Sequence, residues 1–157
     1  MPVRALFPFL IFASLLFAGC QDNVVDRQRV SVQNQWVYSD TLKYDFEILD
    51  TSAHFDLVAE VEHRDDFPFQ NLYTRIHTIQ PPGDTSVQVV SLELAAHTGR
   101  WYGNCSGHNC TVEIVLQQNF RVLKPGIYEI WLEQYMRDAE VPGVRGISLV
   151  LRSADMN

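Results

Sequence analysis

The sequence is poor in positive charge. Twelve lysines and arginines stand against 19 aspartates and glutamates, a formal net charge of −7. Binding to nucleic acid needs a basic footprint that displaces counterions from phosphates, and this balance argues against it. No stretch reaches the ~18 consecutive apolar residues needed to cross a bilayer. A Gly-x-Ser-x-Gly elbow, a His-Glu-x-x-His helix, a phosphate loop and a dinucleotide fingerprint are all absent from the sequence, which removes the most readable enzyme classes. No internal repeat, low-complexity segment or second domain is visible. Cysteine is scarce, with three in all.

One of the three is placed with meaning. Cys20 ends the run Leu16-Phe17-Ala18-Gly19-Cys20, behind an apolar stretch that starts after Arg4. A basic start, about 14 apolar residues and two small residues make a secretory signal. A cysteine directly after them makes a lipobox, with Phe17 where an aliphatic residue is usual. The expectation is cleavage before Cys20, with diacylglycerol on its thiol and an acyl chain on the new amino group. At about 0.8 kcal/mol per buried methylene, two or three chains anchor durably where one does not. Residues 1–19 are read as signal peptide, and 20–35 as a polar lipidated tether. Loss of Arg4 with the leader leaves 11 basic residues against 19 acidic ones, a net charge of −8. The domain is expected in the bacterial cell envelope, lipid-anchored to a membrane and facing the periplasm.

From Trp36 to Asn157 the pattern is that of strands. Phe55, Leu57, Ala59 and Val61 alternate with His54, Asp56, Glu60 and Glu62, broken only by Val58. Tyr128, Ile130, Leu132 and Gln134 alternate with Glu129, Trp131, Glu133 and Tyr135. Ser86 to Ala96 is rich in Val and Leu and reads as a strand buried on both sides. Val112 to Phe120 is ambiguous, with room for a helical turn. Turn signals fall between the runs at Phe67-Pro68, Pro81-Pro82-Gly83-Asp84, Lys124-Pro125-Gly126 and Pro142-Gly143. Short strands so punctuated predict an all-β fold, an antiparallel, jelly-roll-like β-sandwich over residues 36–157.

Cys105 and Cys110, with four residues between them, suit a disulfide in an oxidising compartment. The sharper alternative adds His108 as a third metal ligand, but no second Cys/His pair completes a closed site; free thiols are the third state. His63 and His77 flank the turn at Pro68, where a hairpin could bring them together for a metal or a catalytic base, but scattered histidines in a β domain are more often surface or hydrogen-bonded residues. Glu60 with Glu62, and Glu129 with Glu133, each share a strand face. Facing one another they would imitate a glycosidase pair, but the solvated face of a sheet explains them as well. Trp36, Trp101 and Trp131 are candidates for core or for a sugar- or peptide-stacking surface. Core is the commoner fate of tryptophans in a sandwich of this size, and Trp101-Tyr102, beside Gly99 and Gly103, is the pair with the best claim to exposure.

Four segments together resemble the GldH family of gliding motility lipoproteins. They are His63-Arg64-Asp65-Asp66-Phe67-Pro68-Phe69-Gln70-Asn71-Leu72-Tyr73; Pro82-Gly83-Asp84-Thr85; Leu94-Ala95-Ala96-His97-Thr98-Gly99-Arg100-Trp101-Tyr102-Gly103; and Glu133-Gln134-Tyr135-Met136-Arg137, followed by Val141-Pro142-Gly143-Val144. Their order and spacing agree over about residues 36 to 152. The departure is after Gly103, where the family usually has a glycine-containing loop and this chain has Cys105 and Cys110. The resemblance implies an accessory envelope lipoprotein of the gliding apparatus, working beside the secretion system that delivers surface adhesins. It brings no catalytic residue, metal or cofactor, and no small-molecule substrate. The partners it implies are the membrane, through Cys20, and other motility or envelope proteins, with Arg100, Trp101 and Tyr102 as candidate contacts. The alternative is a surface carbohydrate-binding lipoprotein module.

Overall fold

The computed structural model describes residues 23–154. Among them are eleven strands and no helix. In chain order they are β1 (Val24–Ser31), β2 (Gln35–Val37), β3 (Thr41–Ile48), β4 (Phe55–Arg64) and β5 (Asn71–Gln80). Then come β6 (Asp84–Glu93), β7 (Asn104–Ser106), β8 (Asn109–Phe120), β9 (Gly126–Gln134), β10 (Glu140–Pro142) and β11 (Val144–Ser153). They form an antiparallel sandwich. One sheet runs β1-β11-β4-β8-β7, the other β3-β9-β5-β6, and β2 with β10 makes a two-stranded flap.

Alternation in the sequence produces the two inner faces. Phe55, Leu57, Ala59, Val61 and His63 of β4 are buried, as are Leu42, Tyr44, Phe46 and Ile48 of β3 and Tyr128, Ile130 and Leu132 of β9. The period-2 pleat sends these side chains to one face, and each sheet buries that face against the other. The Tyr44 hydroxyl crosses the core and donates to the Ile147 carbonyl at 2.8 Å. Burial raises its pKa far above the ordinary phenol value. Trp36, at the centre of β2 in the flap, is wholly buried, its Nε1–H donating to the Asp40 carbonyl at 2.7 Å.

Three segments differ from the sequence reading. Residues 24–31, read as tether, form strand β1 and pair with β11 from Val24 to Ser31. The folded part therefore begins well before Trp36. β1 escaped detection because it is polar on both faces. Its half-buried row is Val24, Asp26, Gln28 and Val30. Arg27 and Arg29 on the outer face reach Glu60 at 2.5 Å and Glu62 at 2.6 Å, over the top of β11. Gln28 seals the sandwich margin, its amide accepting from Asp45 N–H at 3.1 Å and donating to the Asp45 carbonyl. Strand β6, read as buried on both sides, is instead a sheet edge exposed from Asp84 to Val89. Residues 112–120 are strand throughout, with a left-handed residue at Asn119. Val58, which breaks the β4 stripe, is buried on the outer face between Val150 and Val115 of the neighbouring strands.

Candidate functional site

Two of the four segments quoted above meet at one end of the second sheet. β5 and β9 pair there, and beyond the ladder Tyr135 N–H donates to the Tyr73 carbonyl at 2.8 Å. Tyr73 and Tyr135 stand 45% and 47% exposed. With Phe69, Val89, Met136, Arg137 and Asp138 they line a mostly apolar groove of about 500 Å³. A smaller, more polar depression of about 260 Å³ adjoins it, shares Tyr135, and is walled by Tyr38, Arg75, Glu133 and Gln134.

A buried glutamine shapes the groove. Gln134 follows Ile130 and Leu132 on the inward row of β9 and is 2% exposed. Its Nε2 donates to the carbonyls of Asp138 (3.2 Å) and Ala139 (3.1 Å), and its Oε1 accepts from Met136 N–H (2.9 Å). One side chain thus folds residues 136–139 back on the sheet. The Tyr38 hydroxyl donates to the Met136 carbonyl at 2.7 Å, fastening the turn from the other side. The Arg75 guanidinium lies 4.3 Å from the Tyr135 ring centroid and 3.5 Å from the Glu133 carboxylate, so the ring is held between charge and groove. Sequence reasoning placed Gln134 inward but assigned it no role. A polar residue in phase with core positions was the available signal, because a buried amide must find partners.

Trp101 is half-buried, its ring 4.5 Å from His63 and its Nε1–H donating to the Asp65 carbonyl at 3.2 Å. That packing makes the ring part of the wall at this end of the core. Arg100 and Tyr102 are exposed. The backbone around them folds tightly: Ala96 N–H donates to the Arg100 carbonyl and Tyr102 N–H to the Leu94 carbonyl, both at 2.8 Å. Gly103 is required here, since a Cβ on it would lie 2.2 Å from the Thr111 carbonyl oxygen. Cys105 and Cys110 sit directly opposite on β7 and β8 and are joined by a disulfide. His108 turns instead to Asp65, Nδ1 to Oδ2 2.9 Å. Among the described residues no three His, Cys, Asp or Glu side chains are grouped as a metal site. Cys20 lies outside the described residues.

His63 and His77 do not meet. His77 is on the outer face of the second sheet against Glu133 (3.1 Å), whereas His63 is wholly buried on the inner face of the first. The carboxylate pairs are likewise apart. Glu60 and Glu62 are on the outer face of the first sheet, bound to Arg27 and Arg29. Glu129 and Glu133 are on the outer face of the second, against Trp131 and Arg75. The core separates them, so they form no catalytic pair.

His63 carries a pH prediction. Its Nδ1–H donates to the Arg64 carbonyl at 2.8 Å, and Nε2 is buried without a partner. Desolvation lowers its pKa below the ordinary 6.5. The unfolded chain therefore takes up this proton more readily than the folded one. Its contribution is full above pH 6.5 and is lost as pH falls through the lowered folded value. The urea midpoint is expected to drop between pH 7 and 5, and His63→Leu to flatten that drop. Parallel curves for both proteins would refute a neutral buried imidazole. Below pH 4.5 Glu62 and Glu113, held down by Arg29 and Arg152, add their own acid sensitivity.

Among solved structures the chain is similar to a family GH115 4-O-methyl-alpha-glucuronidase with specificity for decorated arabinogalactans. The identity is 10% and the TM-score 0.39, over 82% of this chain and 14% of that one. It is also similar to CBM35 from Cellvibrio japonicus Abf62, at 12% identity and TM-score 0.32, over 88% of this chain and 96% of that one. Likenesses this distant carry no inference about activity. A gliding motility lipoprotein GldH from Flavobacterium johnsoniae is 25% identical over 139 residues, 88% of this chain and 86% of the relative. The GldH lipoprotein family model matches residues 23–150, from just before β1 into β11. A match of that extent, spanning both sheets and the groove between β5 and β9, means that the chain belongs to the GldH lipoprotein family.

Proposed function

We propose that this protein is a lipid-anchored, non-enzymatic interaction component of the bacterial gliding motility machinery, and that the Tyr73–Tyr135 groove is where it meets its partner. Cys20 supplies the anchor, and the sandwich is held in the envelope facing the periplasm. The observation that carries the reading is the convergence of two family-resembling segments, sixty residues apart, on one exposed apolar groove. Exposed aromatics around an apolar hollow are the usual makings of a protein interface, where a few such side chains hold most of the affinity. Arg100 and Tyr102, exposed on their turn, are secondary candidates for contact.

The test uses a gliding bacterium whose own copy has been replaced by this chain. Tyr73→Ser with Tyr135→Ser is expected to abolish colony spreading while protein level and melting temperature stay unchanged, because both rings are half exposed. Cys20→Ser should move the chain from the membrane to the soluble fraction. Normal spreading by the double variant would sink the groove, and normal spreading by Cys20→Ser would show the anchor to be dispensable.

A further inference from the structure

The four long strands at the margins of the two sheets are not equally protected. A free strand edge offers unpaired N–H and C=O groups to any passing strand, and proteins blunt such edges with charge, bulges or cover. β1 has a register break near Val24 and carries Asp26, Arg27 and Arg29. β3 exposes Lys43, Asp45 and Glu47, and Gln28 already occupies the Asp45 backbone. β8 is covered at one end by β7 and broken in register opposite Phe55–Val58. β6 has none of these devices. It pairs with β5 from Asp84 to Glu93 in one unbroken register, with no charge, proline or glycine between its two terminal acids.

Exposure makes the contrast sharper. Every residue from Asp84 to Val89 is exposed, and Val87 and Val89 are 55% and 51% accessible. Past Glu93 the edge closes, where Ala95 bridges to Trp101 and the Leu94 carbonyl accepts from Tyr102 N–H. The open length is thus one strand of ten residues, with Val89 also forming a wall of the groove.

We propose that β6 receives an extended segment of a partner protein as an added strand, alternating in apolar residues and basic where it passes Asp84 and Glu93. The proposal rests on the reading of this chain as an interaction component and names the form its partner takes. Main-chain hydrogen bonds supply affinity in this mode, and alternate side chains supply selectivity. A second copy of the chain is disfavoured by charge. Antiparallel β6–β6 pairing in full register places Asp84 opposite Glu93 of the other copy at both ends, and like charges directly opposed are destabilising. Two mature chains, each with 11 basic and 19 acidic residues and so a net charge of −8, also repel.

The probe is a synthetic peptide, Lys-Thr-Val-Thr-Val-Thr-Val-Thr-Val-Lys, added to the mature lipidated chain in detergent. Amide hydrogen exchange of residues 84–93 is expected to slow at least tenfold. The same peptide with Glu at both ends should bind at least tenfold more weakly. Val87→Lys with Val89→Lys, at exposed positions, should remove the protection while the melting temperature holds. Tyr73→Ser with Tyr135→Ser should keep it. Protection at β8, or none anywhere, overturns the proposal. So does a concentration-dependent dimer that the double-lysine variant abolishes, since the occupant would then be a second copy. A failed peptide beside a non-gliding groove variant would remove the β6 site and leave the proposed function standing. Peptide protection beside a groove variant that glides normally would do the reverse.

Discussion

A variant lacking residues 1–35 is expected to show no cooperative unfolding transition, whereas the chain from Asn23 onward unfolds in a single step. The missing strand contributes a ladder from Val24 to Ser31 along β11, extended at its start by Ser153 N–H donating to the Asn23 carbonyl at 2.8 Å. Each such bond adds roughly 1 kcal/mol net. Without β1, the whole side of β11 becomes an edge, and Ile147, Leu149, Val150 and Leu151, now at most 2% exposed, gain contact with water. The outer-face bridges from Arg27 and Arg29 to Glu60 and Glu62 go too, as does the Gln28 clasp on β3. Summed, these losses are comparable to the ~5–15 kcal/mol that holds an ordinary domain together. Thermal and urea unfolding followed by circular dichroism distinguish the two outcomes. A truncated chain that melts cooperatively at the same temperature would return residues 24–31 to the role of tether.

Gln134→Leu should cost about 2–4 kcal/mol, since it strands two carbonyls and one N–H that the amide now satisfies. Leucine fills a similar volume and isolates the lost hydrogen bonds from any cavity. In a domain of this size that loss lowers the melting temperature by roughly 10 °C. The damage should also be local, because Asp138, Ala139 and Met136 are all held by this one side chain. Faster amide exchange at residues 136–139 is expected, along with weaker partner capture at the groove, since Met136, Arg137 and Asp138 form part of its wall. A melting temperature unchanged in Gln134→Leu would mean that the turn is fixed by Tyr38 alone.

The fold was legible wherever burial on one face left a period of two. β4 and β9 follow their sequence alternation residue by residue, and the turns at residues 81–83 and 143 lie where proline and glycine put them. Edge strands were less readable. β1 buries little on either face, so its sequence shows no stripe. β6 has the valines and leucine of a central strand but lies at the margin, so composition pointed the wrong way. Sequence alone left Trp101 open between core and surface for a related reason. Its neighbours Gly99 and Gly103 mark a turn, but the turn folds inward over His63 rather than out into solvent.

By itself the sequence determined the acidic balance and the sandwich class, and it supplied the expectation of a lipobox at Cys20 and the segments that resemble the GldH lipoprotein family. These depend on local order along the chain, which one-dimensional patterns record. Tertiary structure alone decided that Tyr73 and Tyr135 are neighbours, that Gln134 braces the turn beside them, and that β6 is the unguarded edge. Each of those depends on which strands pair. Pairing joins residues that are far apart in the sequence, and it is selected by the burial of whole faces rather than by any short motif.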